Sequence, residues 1–154
     1  MKLHVEWSKP IPMRKVPSLM YNVDLDLLPA AAGVYVFGRK WGTTGFEALY
    51  VGKALNIRHR IRGQLNNLRL MTHIRDAKMG KRVVLAGSLA VKGGQQVDEC
   101  ITLAERAFIR FFLSEGHDLV NISGTKLRQH EVNSTHVPMR FVPDMVFLER
   151  AGRR

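Results

Sequence analysis

GVYVFGRKWGTTGFEALYVGKALNIRHRIR, running from Gly33 to Arg62, is the stretch on which the reading of the fold turns. "GVYVFGRK" is rich in β-branched and aromatic residues, the composition of a strand. "WGTTGFEA" holds Gly42 and Gly45 and predicts a hairpin loop somewhat longer than the minimum. "LYVGKA" is the returning strand, and Gly52 near its end marks a bend or a close approach by another group. Asn56 is placed to cap the helix that follows. Ile57, Ile61, Leu65 and Leu68 then recur at helical spacing and predict one buried stripe.

Downstream, "HIRDAKMGKR" is polar and basic, as expected of a surface segment, and "VVLAGSLAV" reads as a buried strand ended by "KGGQQ". Val97 to about Leu113 is the strongest helix signal, with an apolar stripe of Val97, Ile101, Ala104, Phe108 and Phe112. Gly116 in "SEGH" is placed to cap its end, and "DLVNISGT" is a short extended piece. Upstream, Pro10, Pro12, Pro17 and Pro29 predict an irregular arm with one short helix near "SLMYNVDLDLL". Beyond Lys126, "MRFVP" and "MVFLER" read as two short strands or as an arm that packs on a partner. The order β-β-α-β-α plus a C-terminal extension predicts an α/β (α+β) domain, a small mixed sheet built on the hairpin and flanked by helices.

A chain of 154 residues, 45% hydrophobic, has enough apolar material for one domain with a core. Its formal net charge of +11 draws polyanions, nucleic acid first and anionic membrane second. Cys100 is the one cysteine, which rules out an intrachain disulfide and suits a reducing, cytoplasmic setting. It lies in an apolar periodic stretch, as a small core residue would. No apolar run reaches the ~20 residues of a membrane span, and the N-terminal residues lack the apolar core of a signal peptide, so a soluble protein with no membrane partner is expected. The histidines show no zinc-ligand spacing, leaving His73 as a candidate for a phosphate contact, and "KGGQQ" has neither the lysine placement nor the helix entry of a phosphate loop.

Three features stand out chemically. Helical periodicity sets Glu105 among Ile101, Phe108, Ile109 and Phe112, so a carboxylate interrupts an apolar stripe. A buried carboxylate needs compensation, by a structural arginine or by a hard cation such as Mg²⁺. Residues 53–82 hold nine basic side chains (Lys53, Arg58, Arg60, Arg62, Arg69, Arg75, Lys78, Lys81 and Arg82) against one acid, Asp76. A charge run is usually a solvated helix face, but such a face mixes signs, and this one has the character of a phosphate-binding surface. Arg60 lies roughly in line with Asn56 and Gln64 at one edge of the stripe, with Arg58, Arg62 and Arg69 at the other. Tyr35 and Tyr50 sit on the two hairpin strands, where register decides between two core tyrosines and one shared hydroxyl patch.

"GVY", then "YVG", then "KALNIRHR", then a helical glutamate, then the asparagine of "LVNISG" together resemble the GIY-YIG nuclease superfamily. The lead-in "LLPAAAGVYVF" is similar to the corresponding region of the incision subunit of bacterial nucleotide-excision repair. The resemblance covers about residues 28–124 and leaves an N-terminal arm, 1–27, and an extension, 125–154, unmatched. It implies a metal-dependent endonuclease that hydrolyses phosphodiester bonds in DNA with Mg²⁺ or Mn²⁺. By the same resemblance Glu105 binds the metal, Arg60 holds the phosphate, Tyr35 helps activate a water with Lys53 steadying its phenolate, Tyr50 orients water or phosphate, and Asn121 is structural. Arg58, Arg62, Arg69, Arg75, Lys78, Lys81 and Arg82 would meet the nucleic-acid backbone. Some members carry a histidine one turn after the arginine; here that position is Gln64, so a proton-transfer role there has no support. A homodimer would serve double-strand cleavage. The competing expectations are a non-catalytic nucleic-acid-binding module on the same scaffold and an RNA-directed nuclease.

Overall fold

The computed structural model describes residues 3–120, 128–140 and 145–150. The fold is α+β. The central hairpin pairs β5 (Gly33–Trp41) with β6 (Gly45–Ala54), turning at Gly42 with its φ of 59°. Helices α1 (Ile57–Gln64) and α2 (Leu68–Asp76) follow, then β7 (Lys81–Ala90), which pairs antiparallel with β5. Helix α3 (Val97–Ser114) closes the sequence-predicted core.

The N-terminal arm departs from expectation. Residues His4–Trp7 form β1 and Ile11–Pro12 form β2, and both pair with β7, so the sheet runs β1-β7-β5-β6 with β2 also on β7. Residues 4–12 are thus part of the sheet, not an arm beside it. Val5 and Trp7 cover Gly87, where a Cβ would lie 2.5 Å from Val5 Cγ1. Pro12 is tolerated because an edge strand needs no donor on its open side. Two-residue strands β3 (Arg14–Lys15) and β4 (Tyr21–Asn22) make a side hairpin. The helix expected near "SLMYNVDLDLL" is reduced to a 3-10 turn at Leu25–Leu27, capped by Asp24.

The single helical stripe of 57–68 is also corrected. Asn67 starts a second helix, its side chain accepting from the Leu70 amide at 3.1 Å, and Leu68 is left exposed. The polar segment after it is half core: Ile74 is fully buried. The observed order is therefore β-β-α-α-β-α behind the N-terminal strands. Strands β8 (Arg128–Asn133) and β9 (Met145–Arg150) pair as a hairpin beside α3; only the second coincides with a strand expected in the tail.

Two layers cover the sheet. Tyr35, Phe37 and Leu49 face α1 and α2 in one apolar cluster, whereas Val36, Ala48 and Val51 face α3 in another. A bulge between Phe37 and Gly38 leaves Leu49 unpaired, so Leu49 and Tyr50 both face α1 and α2. The freed backbone groups are satisfied by the loop after α3: His117 Nδ1 accepts from the Ala48 amide at 2.7 Å, and the Val120 amide donates to Leu49 O at 2.8 Å. Accepting that bond requires neutral His117, and burial accordingly lowers its pKa against the opposing pull of Glu47 and Glu115. Cys100 is a buried core residue. Among the described residues, no helix is long and apolar enough to cross a membrane.

Candidate active site

Tyr35 lies on β5 directly opposite Gly52 of β6, and its ring covers that glycine. Tyr50 lies 6.0 Å away, ring centroid to centroid. Helix α1 begins at its expected cap, with Asn56 accepting from the His59 amide at 3.1 Å. Its one-turn spacing then brings Arg60 and Gln64 to the same two phenols. Hydrogen bonding to Tyr35 raises the proton affinity of the Arg60 guanidinium, and Tyr50 adds to this. Tyr35, Tyr50 and Arg60 thus share one patch.

Gln64, a departure from the family pattern in sequence, is a member of that patch. It is buried, and its Nε2 donates to Tyr35 Oη at 2.9 Å and to Tyr50 Oη at 3.3 Å. Asn67 Nδ2 donates to Gln64 Oε1 at 3.1 Å. The one sequence signal for this role was a polar residue in register with Ile57 and Ile61 on the inner face of α1.

Tyr35 differs from its expected role as a base. It is 0% exposed, and burial, reinforced by Tyr50, pushes its pKa well above that of an ordinary phenol despite Gln64 and Arg60. It is a neutral phenol near neutral pH, with no phenolate for Lys53 to steady.

Lys53 and Glu105 meet on the other face. Lys53 follows Gly52 on the edge strand β6, and alternation turns it toward α3, where Nζ donates to Thr102 Oγ1 at 2.8 Å. Glu105 is one turn further along α3 and half-buried, at the margin of a stripe formed by Cys100, Ile101, Ala104, Ile109 and Leu113. Burial raises its carboxyl pKa, opposed first by Lys53 and then by Arg106. Among the described residues Glu105 forms no ion pair, so the arginine bridge weighed for it is not what compensates it. The phenols and the acid therefore flank β6 from opposite faces. Asn121 lies outside the described residues.

A partly desolvated carboxylate without an ion-pair partner fits a Mg²⁺ or Mn²⁺ ion, which needs only one or two carboxylates when water and substrate phosphate complete its shell. No group of three His, Cys, Asp or Glu side chains suited to a metal occurs among the described residues, so a site dominated by protein ligands does not fit.

The basic segment divides. Arg62, Arg69, Lys78 and Lys81 are exposed. Arg58 Nε donates to Leu28 O at 2.9 Å and fastens the lead-in to α1. Arg75 pairs with Asp76 at 3.0 Å, and His73 Nε2 bonds Asp118 O at 3.0 Å. Arg82, expected on the nucleic-acid surface, is a structural cap. Its Nε meets Ile74 O, its Nη1 meets Lys78 O and Gly80 O, and its Nη2 meets Arg75 O and Ala77 O, at 2.6–3.2 Å. All five guanidinium donors are used on carbonyls of the last turn of α2 and of the loop that leads from it to β7. Arg82→Ala is expected to lower unfolding free energy by about 3 kcal/mol, since hydrogen bonds to a charged group contribute more than neutral ones. Urea unfolding measures this, and nucleic-acid affinity of the folded variant should stay within about twofold. Lys81→Ala should do the reverse, leaving stability unchanged while the salt slope of binding falls by about one. Compared with protein-family models, with curated proteins and with solved structures, the chain matches none.

Proposed function

We propose that the protein is a divalent-metal-dependent endonuclease of the GIY-YIG type that hydrolyses phosphodiester bonds in DNA. The observation that carries this reading is the gathering of two tyrosine hydroxyls by Gln64, one helical turn from Arg60, at an edge strand whose other face presents Glu105. A phosphodiester repels nucleophiles by its negative charge, and more charge gathers in the transition state. Arg60 offers planar donors to the non-bridging oxygens. Tyr50, half-buried beside it, orients the same oxygens. Lys53 adds a positive charge at the edge strand. Tyr35 keeps its proton and holds the patch from behind. A divalent ion on Glu105, when bound, would supply Lewis-acid polarisation and stabilise the leaving oxygen. The exposed Arg62, Arg69, Lys78 and Lys81 supply sequence-independent attraction to the backbone.

The test is incubation with supercoiled plasmid and Mg²⁺ or Mn²⁺, with and without chelator. Nicking or linearisation that the chelator abolishes is the expected result. Binding without cleavage in either metal would defeat the reading in favour of a non-catalytic binding module, which the lack of an ionised phenol at Tyr35 favours. Metal-dependent cleavage of structured RNA in place of DNA would reassign the substrate.

A further inference from the structure

The hydrogen bonds around Gln64 have a fixed direction. Asn67 Oδ1 accepts from the Leu70 amide, because it is the N-cap of α2. A backbone amide can only donate, so the oxygen of the Asn67 side chain is fixed there, and its Nδ2 must be the group that faces Gln64. That donor requires Gln64 to present Oε1 to it. Gln64 Nε2 is consequently turned to the phenols, with one hydrogen for Tyr35 and one for Tyr50. Arg60, which has donors only, lies beside the same two phenols. Among the described residues, the hydrogen bonds at both phenol oxygens are therefore inward donations from Gln64. Each oxygen accepts from that amide, and each phenol proton is left for an acceptor that is not part of this cluster. Gln64 is 5% exposed, so water does not compete for its amide.

We propose that Gln64 and Asn67 are a positioning pair that orients both phenols and fixes the half-buried Tyr50 as a hydrogen-bond donor toward an anionic phosphodiester oxygen beside Arg60, with buried Tyr35 held behind it. The ligand's identity rests on the nuclease reading above; the direction of the hydrogen bonds does not. The cap of α2 thereby sets the polarity of the site. A cradle of donors alone suits an oxygen on which negative charge grows and gives no stabilisation to a cation.

Two substitutions test this, each in a Tyr21→Phe background so that only Tyr35 and Tyr50 contribute tyrosine signals. Gln64→Glu is nearly isosteric, and its carboxylate can only accept, with Arg60 at hand to balance the charge. Asn67→Ser keeps a capping oxygen for α2 but loses the donor that orients Gln64. The tyrosine Raman doublet, whose intensity ratio distinguishes a phenol that accepts from one that donates, is measured alongside plasmid cleavage. Both folded variants should shift the doublet from accepting toward donating. Their kcat should fall about tenfold to a hundredfold with KM within about threefold, as for loss of an oriented donor. An unchanged doublet in both variants overturns the assignment of hydrogen-bond direction. A shifted doublet with unchanged kcat overturns the positioning role. If the parent cleaves nothing with either metal, the nuclease reading fails and the doublet alone decides the direction of the bonds.

Discussion

Glu105→Ala is expected to abolish cleavage while leaving DNA binding and folding intact. A bound metal contributes several kcal/mol of charge stabilisation in the transition state, so kcat should fall about a thousandfold or more. The surrounding physics separates this from general damage. Glu105 is half-buried without an ion pair among the described residues, and burial raises its pKa. A group whose folded pKa is raised contributes stability that is present below its unfolded pKa and is lost as pH rises through the folded one. At neutral pH the ionised carboxylate is therefore a liability to the fold, and its removal should leave the melting temperature unchanged or slightly higher. Removing one negative charge from a protein of net charge +11 should also leave plasmid retention the same or tighter. Added Mg²⁺ should raise the melting temperature of the parent and not of the variant, because only the parent binds the ion in its folded state. Full cleavage by Glu105→Ala would remove the carboxylate from the mechanism.

What the sequence disclosed was local. The hairpin, the Asn56 cap and the positive φ of Gly116 after α3 each depend on residues a few positions apart, and each is found where expected, except that the hairpin turn is only residues 42–44 because Trp41 and Gly45 to Ala48, read as loop, continue the two strands. What it concealed was long-range pairing. The strand character of His4–Trp7 is too short to announce itself, and its partner β7 lies some eighty residues away. The α1–α2 break was hidden because Leu68 continues the apolar spacing although it is exposed. At the site, Tyr35, Tyr50 and Arg60 were legible from residue type and spacing; the two rings stand 6.0 Å apart, and both phenols raise the proton affinity of Arg60. Arg82 was misread because charge was visible and the carbonyls that absorb it were not. Gln64 was passed over for the opposite reason: an amide carries no charge and does not titrate. Its importance arises from burial and from Asn67, neither of which residue type conveys.

Gly52→Ala should unfold or deform the site from a position with no functional group. A Cβ there would lie 2.2 Å from Tyr35 Cζ, 2.4 Å from its Oη and 2.7 Å from its Cε2. The ring cannot withdraw, since Phe37 stands edge-on at 5.7 Å, Tyr50 at 6.0 Å, and Gln64 holds the hydroxyl. Overpacking of this kind costs about 3 kcal/mol, measured by urea unfolding. Because Arg60 and Tyr50 are registered against Tyr35, whatever folded protein remains should cleave about a hundredfold more slowly, the usual consequence of a misplacement near 1 Å. Gly63→Ala is the control: nothing lies within 4 Å of its added methyl, and it sits within α1, so it should stabilise by about 0.5–1 kcal/mol. The cause is isolated by a cycle with Tyr35→Leu. If the ring is what the methyl strikes, Gly52→Ala should cost less than about 1 kcal/mol in that background, a strongly non-additive pair. Additive costs would mean that Gly52 is required by the backbone of β6 itself, and the packing of Tyr35 over the edge strand would no longer explain the glycine that follows Tyr50 and Val51.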